Sequence, residues 1–341
     1  MRIAVDVMGG DRGCRVVIDG IKGALAAEPS IRELHLVGNE AEINPALQAL
    51  GLKDARVSVH HASEVLTMED KPVLGLRRKK DCSILRAVDL VKDGRAEAVI
   101  SSGNTGGILA AASIRLRTLE GVERPAISAL MPSRKGSWVL IDAGANPEST
   151  PVQLMQNAVM GSVYAREMLG ISRPRVGLLS NGAEEIKGTD LTREALKLCR
   201  QVDLNFLEFI EGHDLFADHV DVVVTDGFVG NIVLKSSEAL GMAVITILKD
   251  ELTANPLRRL GALLSAAGLR ALKRRMDPQT YGGAPMLGLN GVVFKVHGSA
   301  QARAVQNAVA QVVQALRLRV NESIVREIAA AQKRTGSAQA A

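Results

Sequence analysis

Four polar, glycine-rich segments each follow an apolar run in this chain. They are Ser101-Ser102-Gly103-Asn104-Thr105-Gly106-Gly107, Asp142-Ala143-Gly144-Ala145-Asn146, Ser180-Asn181-Gly182 and Thr225-Asp226-Gly227-Phe228-Val229-Gly230-Asn231. Glycines let a backbone approach a ligand, and N–H groups at a following helix start favour an anion. On a parallel sheet the four corners share the carboxyl edge and together suggest a built pocket. The common occupants of such corners leave signatures that are missing here. Met8-Gly9-Gly10-Asp11 lacks the G-x-G-x-x-G spacing, and the second strand ends in Val37-Gly38-Asn39 rather than an acidic ribose ligand. Neither a G-x-x-x-x-G-K-[ST] loop nor a G-x-S-x-G elbow is present. Inorganic phosphate is the simplest occupant that remains.

A few charged and amide side chains accompany the corners. Lys187 lies in the loop Asn181–Gly188, placed as a point charge for phosphate or as an ordinary surface lysine. His297 ends an apolar strand before Gly298-Ser299, as a proton donor, a phosphate contact or a histidine satisfied at a helix start. Asp226 and Asn231 flank the Gly227–Gly230 turn and either orient a nucleophile or close the turn.

The elements that must position these residues alternate between strand-like and helical patterns. Strands are predicted near Ile3–Val7, Glu33–Val37, Arg56–His60, Ala98–Ser101, Ala126–Leu130, Trp138–Ile141, Arg175–Leu179, Asn205–Ile210, Val220–Thr225 and Val292–Val296. Helices are predicted at Thr105–Leu116, Val152–Leu169, Leu191–Arg200, Ile232–Glu251 and Ala300–Ile328. Continuously apolar strands imply burial on both faces, hence a mostly parallel, three-layer α/β/α sandwich. The 341 residues read as a single domain over 1–330, with a disordered tail at 331–341. Hydrophobic residues make up 47% and aromatics only 2%, so the core is aliphatic and base-stacking surfaces for nucleic acid are poorly supported.

Net charge is +5 but concentrated. Arg77-Arg78-Lys79-Lys80 is one basic run, and Asn255–Met276 carries six Arg or Lys and no acid. In that second segment Leu257, Leu260, Leu263, Leu264, Ala267, Ala271 and Leu272 share a helical face, opposite Arg258, Arg259, Arg270, Lys273 and Arg274, while Leu269, Arg275 and Met276 break the pattern. Such a helix suits a membrane surface, an acidic partner, or a core with a solvated back. Cys14, Cys82 and Cys199 show no metal spacing and fit a reducing compartment. With no leader and no apolar run of about 18 residues, a cytoplasmic protein is expected.

These residues resemble the phosphate acyltransferase (PlsX) family of bacterial phospholipid synthesis. The resemblance runs from Met1 to about Glu327 and rests on several segments in order. They are Met8–Asp11, Arg77–Lys80, Ser102–Gly106, Arg124-Pro125-Ala126, Gly144–Asn146, Glu184 through Gly188, Thr225–Asn231 with Leu234-Lys235, and Tyr281–Ala284 through His297-Gly298. It implies reversible conversion of acyl-[acyl carrier protein] and inorganic phosphate to acyl phosphate and free carrier protein, with no further cofactor and no metal. It also implies a Rossmann-like fold similar to phosphotransacetylases and isocitrate/isopropylmalate dehydrogenases, and a homodimer. A helical protrusion at about 240–280 is implied to touch the inner face of the membrane, where a glycerol-3-phosphate acyltransferase consumes the product. Family members often continue Gly-Asp with His-Ala-Pro. Here Arg12-Gly13-Cys14 stands instead, which removes a histidine from position 12. The expected site is Lys187, Asn181, His297 and Asp226 for catalysis and Gly103, Asn104, Thr105, Gly106, Asn146 and Asn231 for substrate. Arg77, Arg78, Leu257, Leu260, Leu264 and Arg270 are expected to meet the partner or membrane. Phosphate held at Gly103–Gly107 with help from Lys187 would attack the thioester directly, with Asn181 or Asn231 stabilising the oxyanion. Two other readings are a phosphotransacetylase using short acyl-CoA and a non-catalytic acyl-carrier or lipid sensor.

Overall fold

The computed structural model describes residues 1–339. Its strands are β1 (Arg2–Asp6), β2 (Glu33–Gly38), β3 (Val57–His61), β4 (Ala98–Ser101), β5 (Ala126–Pro132), β6 (Ser137–Ile141), β7 (Arg175–Leu179), β8 (Asn205–Ile210), β9 (Val222–Val224), β10 (Ala284–Leu287) and β11 (Val292–Lys295). The helices are α1 (Cys14–Ala27), α2 (Glu40–Leu50), α3 (Pro72–Arg78), α4 (Ser83–Lys92), α5 (Thr105–Arg115), α6 (Pro151–Leu169), α7 (Asp190–Cys199), α8 (Gly227–Thr253), α9 (Pro256–Leu264), α10 (Ala266–Met276), α11 (Ala302–Arg317) and α12 (Val320–Gln339).

One sheet runs β3-β2-β1-β4-β11-β10-β5-β6-β9-β7-β8. Successive strand residues point to opposite faces, and both faces are buried. Ile3, Val5, Leu36 and Ile100 join the core beneath α1, α6, α11 and α12, while Ala4, Val37 and Val99 join a second core beneath α4 and α5. The expected three-layer sandwich is therefore present.

The sheet is mostly parallel, as expected, but its strands do not all run one way. β1, β2, β3, β4 and β11 are mutually parallel, but β11–β10, β10–β5 and β5–β6 are antiparallel. Three reversals leave β6, β9, β7 and β8 running opposite to the first group. The four corners consequently do not share one edge. Ser101–Gly107 ends β4 on one edge, and the corners after β6, β7 and β9 lie on the other. β10, unforeseen from the sequence, is short and contains Pro285.

Helix α8 begins on the second edge, capped by Asp226, whose Oδ1 accepts from the N–H groups of Phe228 and Val229, both at 2.9 Å. A Cβ on Gly230 would sit 1.8 Å from the Asp142 carbonyl oxygen, and one on Gly227 would sit 2.8 Å from the Asn146 backbone. Only glycines let the helix seat on that corner. Contrary to the expectation of no spanning segment, α8 is long and apolar enough to cross a bilayer. Its first half, however, packs Val233 and Leu234 against the second core beside β5 and β6. The basic segment is not one helix. Asn255 caps α9, a turn at Ser265 ends it, and α10 follows. Arg275 and Met276 break the expected stripe because they face back towards β5 and α8.

The 331–339 segment, expected to be a disordered tail, continues α12. The stripe Ile324, Ile328, Ala331 (i, i+4, i+7) is buried, and Arg334 pairs with Asp203 at 3.3 Å. Residues 340–341 of that expected tail lie outside the described residues. Gly230→Ala is expected to destabilise the protein by roughly 1–3 kcal/mol through overpacking, read as a lower urea midpoint.

Candidate active site

Strands β1, β4 and β11 are neighbours, so their three carboxyl corners meet. Ser101 Oγ donates to Asp6 Oδ2 (2.7 Å) and accepts from Gly103 N–H (3.0 Å). Asp11 N–H donates to the Gly298 carbonyl at 2.9 Å, joining the first corner to the third. A Cβ on Gly9 would fall 2.2 Å from Gly103 Cα, and one on Gly10 would fall 2.9 Å from Ser102 Oγ. The paired glycines thus bring two backbones into contact at the Ser102 corner, the notch where β1, β4 and β11 end. The Ser102 hydroxyl is buried and has no hydrogen-bond partner among the described residues. A buried orphan of this kind asks for a ligand.

The first turn of α5 borders the notch. Gly107 N–H donates to Asn104 Oδ1 (2.9 Å) and Ile108 N–H to the Asn104 carbonyl (2.9 Å). Thr105 and Gly106 present first-turn N–H groups with no partner inside the helix. Beneath the corner lies Lys295, 8% exposed, whose Nζ donates to the carbonyls of Ser102 and Val296. Burial pulls its pKa down to about 8, opposed by the charges of Asp6 and Asp11. Burial likewise pushes the Asp6 carboxyl up, against its hydrogen bonds and Lys295. One buried ammonium under a glycine-rich helix start makes this edge receptive to an anion.

His297 stands exposed at the rim. Its Nδ1 accepts from Ser299 N–H at 3.3 Å and lies 2.9 Å from Ser299 Oγ. From α8, half-buried Glu238 lies within electrostatic reach of His297 and Lys235, and burial raises its pKa. Asn104 is not available to substrate. Its Nδ2 donates to the carbonyls of Thr67, Met68 and Asp70, tying down the loop before α3. Lys79 of the basic run is also internal, pairing with Asp70 at 2.5 Å. Arg77, Arg78 and Lys80 remain exposed and unpaired among the described residues.

The other expected residues assemble on the opposite edge. Asp142 is buried and accepts five N–H bonds, from Ile127, Gly144, Ala145, Asn146 and the Asn146 amide, at 2.8–3.1 Å. Burial raises its pKa and those donors pull it back. Asn146 Nδ2 is divided between Asp142 and the Pro125 carbonyl, and Asn181 Oδ1 accepts from Gly188 N–H at 2.9 Å. Asp226, Asn146 and Asn181 therefore close turns. Lys187 and Asn231 keep side chains with no hydrogen-bond partner among the described residues. Within one chain Lys187 cannot assist the Gly103–Gly107 corner, because the two lie at opposite ends of the strands. Cys14 is buried, and burial raises its thiol pKa.

A family model described as fatty acid synthesis protein matches residues 1–323. The phosphate acyltransferase of Pelotomaculum thermopropionicum is 44% identical over 327 residues, covering 95% of this chain and 94% of the relative. That of Myxococcus xanthus is 46% identical over 312 residues, covering 90% and 88%. The chain belongs to this family. Its members here are phosphate acyltransferases, and the chain is such an enzyme of fatty acid and phospholipid synthesis. A phosphotransacetylase structure from Streptococcus pyogenes superimposes with a TM-score of 0.64 at 18% identity, covering 93% of this chain and 94% of that one. At that identity the likeness is one of fold, as expected.

Sequence reasoning missed Ser102, Asp6, Lys295 and Glu238 as members of the site. A signal existed for Lys295, a lone charge inside Val292-Val293-Phe294-Lys295-Val296. Because its folded pKa lies below the ordinary 10.5, the unfolded chain holds the proton more tightly, so its contribution to stability rises between pH 8 and 10.5. The stability difference between the native protein and Lys295→Met should grow by up to roughly 3 kcal/mol across that window, measured by denaturant titration.

Proposed function

We propose that the protein transfers an acyl group from the phosphopantetheine thioester of acyl carrier protein to inorganic phosphate bound at the Ser102 notch. The observation that carries this is the buried, unpartnered Ser102 hydroxyl between Gly10 and the α5 start, above Lys295. A phosphate oxygen attacks the thioester carbon, the C–O bond forms and the C–S bond breaks. The departing sulfur takes up the proton that phosphate gives up, so phosphate and thioester become acyl phosphate and thiol. Phosphate is itself the nucleophile, so no covalent enzyme intermediate is required, and positioning lowers the barrier. Ser102→Ala should raise the phosphate KM about tenfold, the effect of losing one hydrogen bond to a charged group. An unchanged phosphate KM in a phosphate-dependent thiol-release assay would remove the notch from the reaction. Running acyl carrier protein and acyl-CoA donors side by side in that assay separates this reading from a short-chain phosphotransacetylase.

The carrier protein is acidic, and exposed Arg77 and Arg78 stand beside the notch, where Pro72 of the same helix packs near Gly106. The enzyme works as a homodimer in which the Lys187 corner of one protomer meets the Ser102 notch of the other, since one chain holds them at opposite edges. Lys187→Ala and Ser102→Ala subunits, each impaired alone, should recover activity when mixed and re-associated. Failure to recover in verified mixed dimers would overturn the shared site.

We further propose that the protein works in the cytoplasm, bound peripherally to the inner face of the membrane, where a glycerol-3-phosphate acyltransferase takes up acyl phosphate. Support comes from α9, where Leu257, Leu260, Leu263 and Leu264 are 79%, 54%, 71% and 82% exposed, beside exposed Arg270, Lys273 and Arg274. Leu260→Glu with Leu264→Glu should abolish flotation with anionic vesicles while leaving thiol release intact. Unchanged flotation would exclude the membrane role.

A further inference from the structure

A cavity of about 440 Å³ lies between the docked half of α8, the end of β5 and α10. That volume falls in the range of roughly 300–1,000 Å³ usual for small-molecule sites. From α8 it is lined by Leu234, Ser237, Glu238 and Gly241, spaced i, i+3, i+4 and i+7, so one helix face forms its wall. Met131 of β5 and Leu272 and Met276 of α10 make much of the remaining lining apolar. Gly241 lets Met276 of α10 come close to α8, since a Cβ there would lie 3.0 Å from Met276 Cε. Glu238 in its wall lies within electrostatic reach of His297, which puts this end of the cavity on the side of the candidate site.

We propose that this cavity receives the hydrocarbon chain of the acyl group, with the carbonyl end between Glu238 and His297 and the chain running past Gly241 towards Met276. The inference rests on the reading that an acyl thioester is the donor, and it assigns that donor's apolar part a place. A slot with apolar walls such as Met131, Leu234, Leu272 and Met276 gains from each methylene it takes out of water, so it would rank donors by length.

Gly241→Leu narrows the slot and Met276→Ala widens it. Displacing about two methylenes corresponds to about a tenfold change. In Gly241→Leu the ratio of kcat/KM for hexadecanoyl over butanoyl donors should therefore fall about tenfold, and the Kd for a fluorescent polyene fatty acid should rise by a similar factor. In Met276→Ala the ratio should shift towards longer chains. An unchanged ratio and an unchanged Kd in folded variants would overturn the proposal. So would a change confined to protomer association, which would give the cavity to a second copy of the chain. Fatty acid binding that responds to both variants in a protein that releases no thiol with phosphate would support the cavity while removing the catalytic reading.

Discussion

The direction of the sheet governs everything else in this molecule. Between β11 and β6 the chain reverses three times, through β10, β5 and the β5–β6 hairpin. Carboxyl ends are where a parallel α/β sheet presents glycines and helix N-termini. The reversal therefore produces two receptive edges, each made of three adjacent corners: β1, β4 and β11 on one, β6, β9 and β7 on the other. One edge collects the orphan hydroxyl and the buried ammonium, and the other collects Lys187 and Asn231. Helix α8 connects them, starting at Asp226 on the second edge and bringing Glu238 to the first.

The two edges solve the same electrostatic problem differently. At the first, a buried cation, Lys295, is held by carbonyls and countered by Asp6, leaving nearby N–H groups and a hydroxyl for an anion. At the second, the anion is already part of the protein. The Asp142 carboxylate takes five N–H donors, and its corner is filled. That contrast, more than glycine content, separates a ligand notch from a structural turn.

Much of the architecture was legible. Apolar strands such as Val222–Val224 and Ile3–Val5 announce burial on both faces, and the alternating helices complete three layers. The β5–β6 reversal was legible too, since Pro132 and Ser137 are separated by four residues and a parallel crossover needs a dozen or more. β10 was hidden because a four-residue strand containing proline carries almost no periodic signal. The continuation of α12 was masked by small and polar residues after Ala331, although Ile324 and Ile328 begin its buried stripe.

The sequence by itself determined the fold class, the family and the anion-seeking character of the corners, because apolar periodicity, glycine spacing and motif order are local properties. The tertiary structure alone decided which corners face one another. Asn104, Asn146 and Asp226 are indistinguishable in sequence from ligand-binding amides and acids, yet each is held by neighbouring backbone groups. Ser102, one hydroxyl among several, is buried without a partner where Gly10 packs over it. Whether a polar side chain closes a turn or awaits a ligand depends on what packs across from it, and strand order and direction set that at long range.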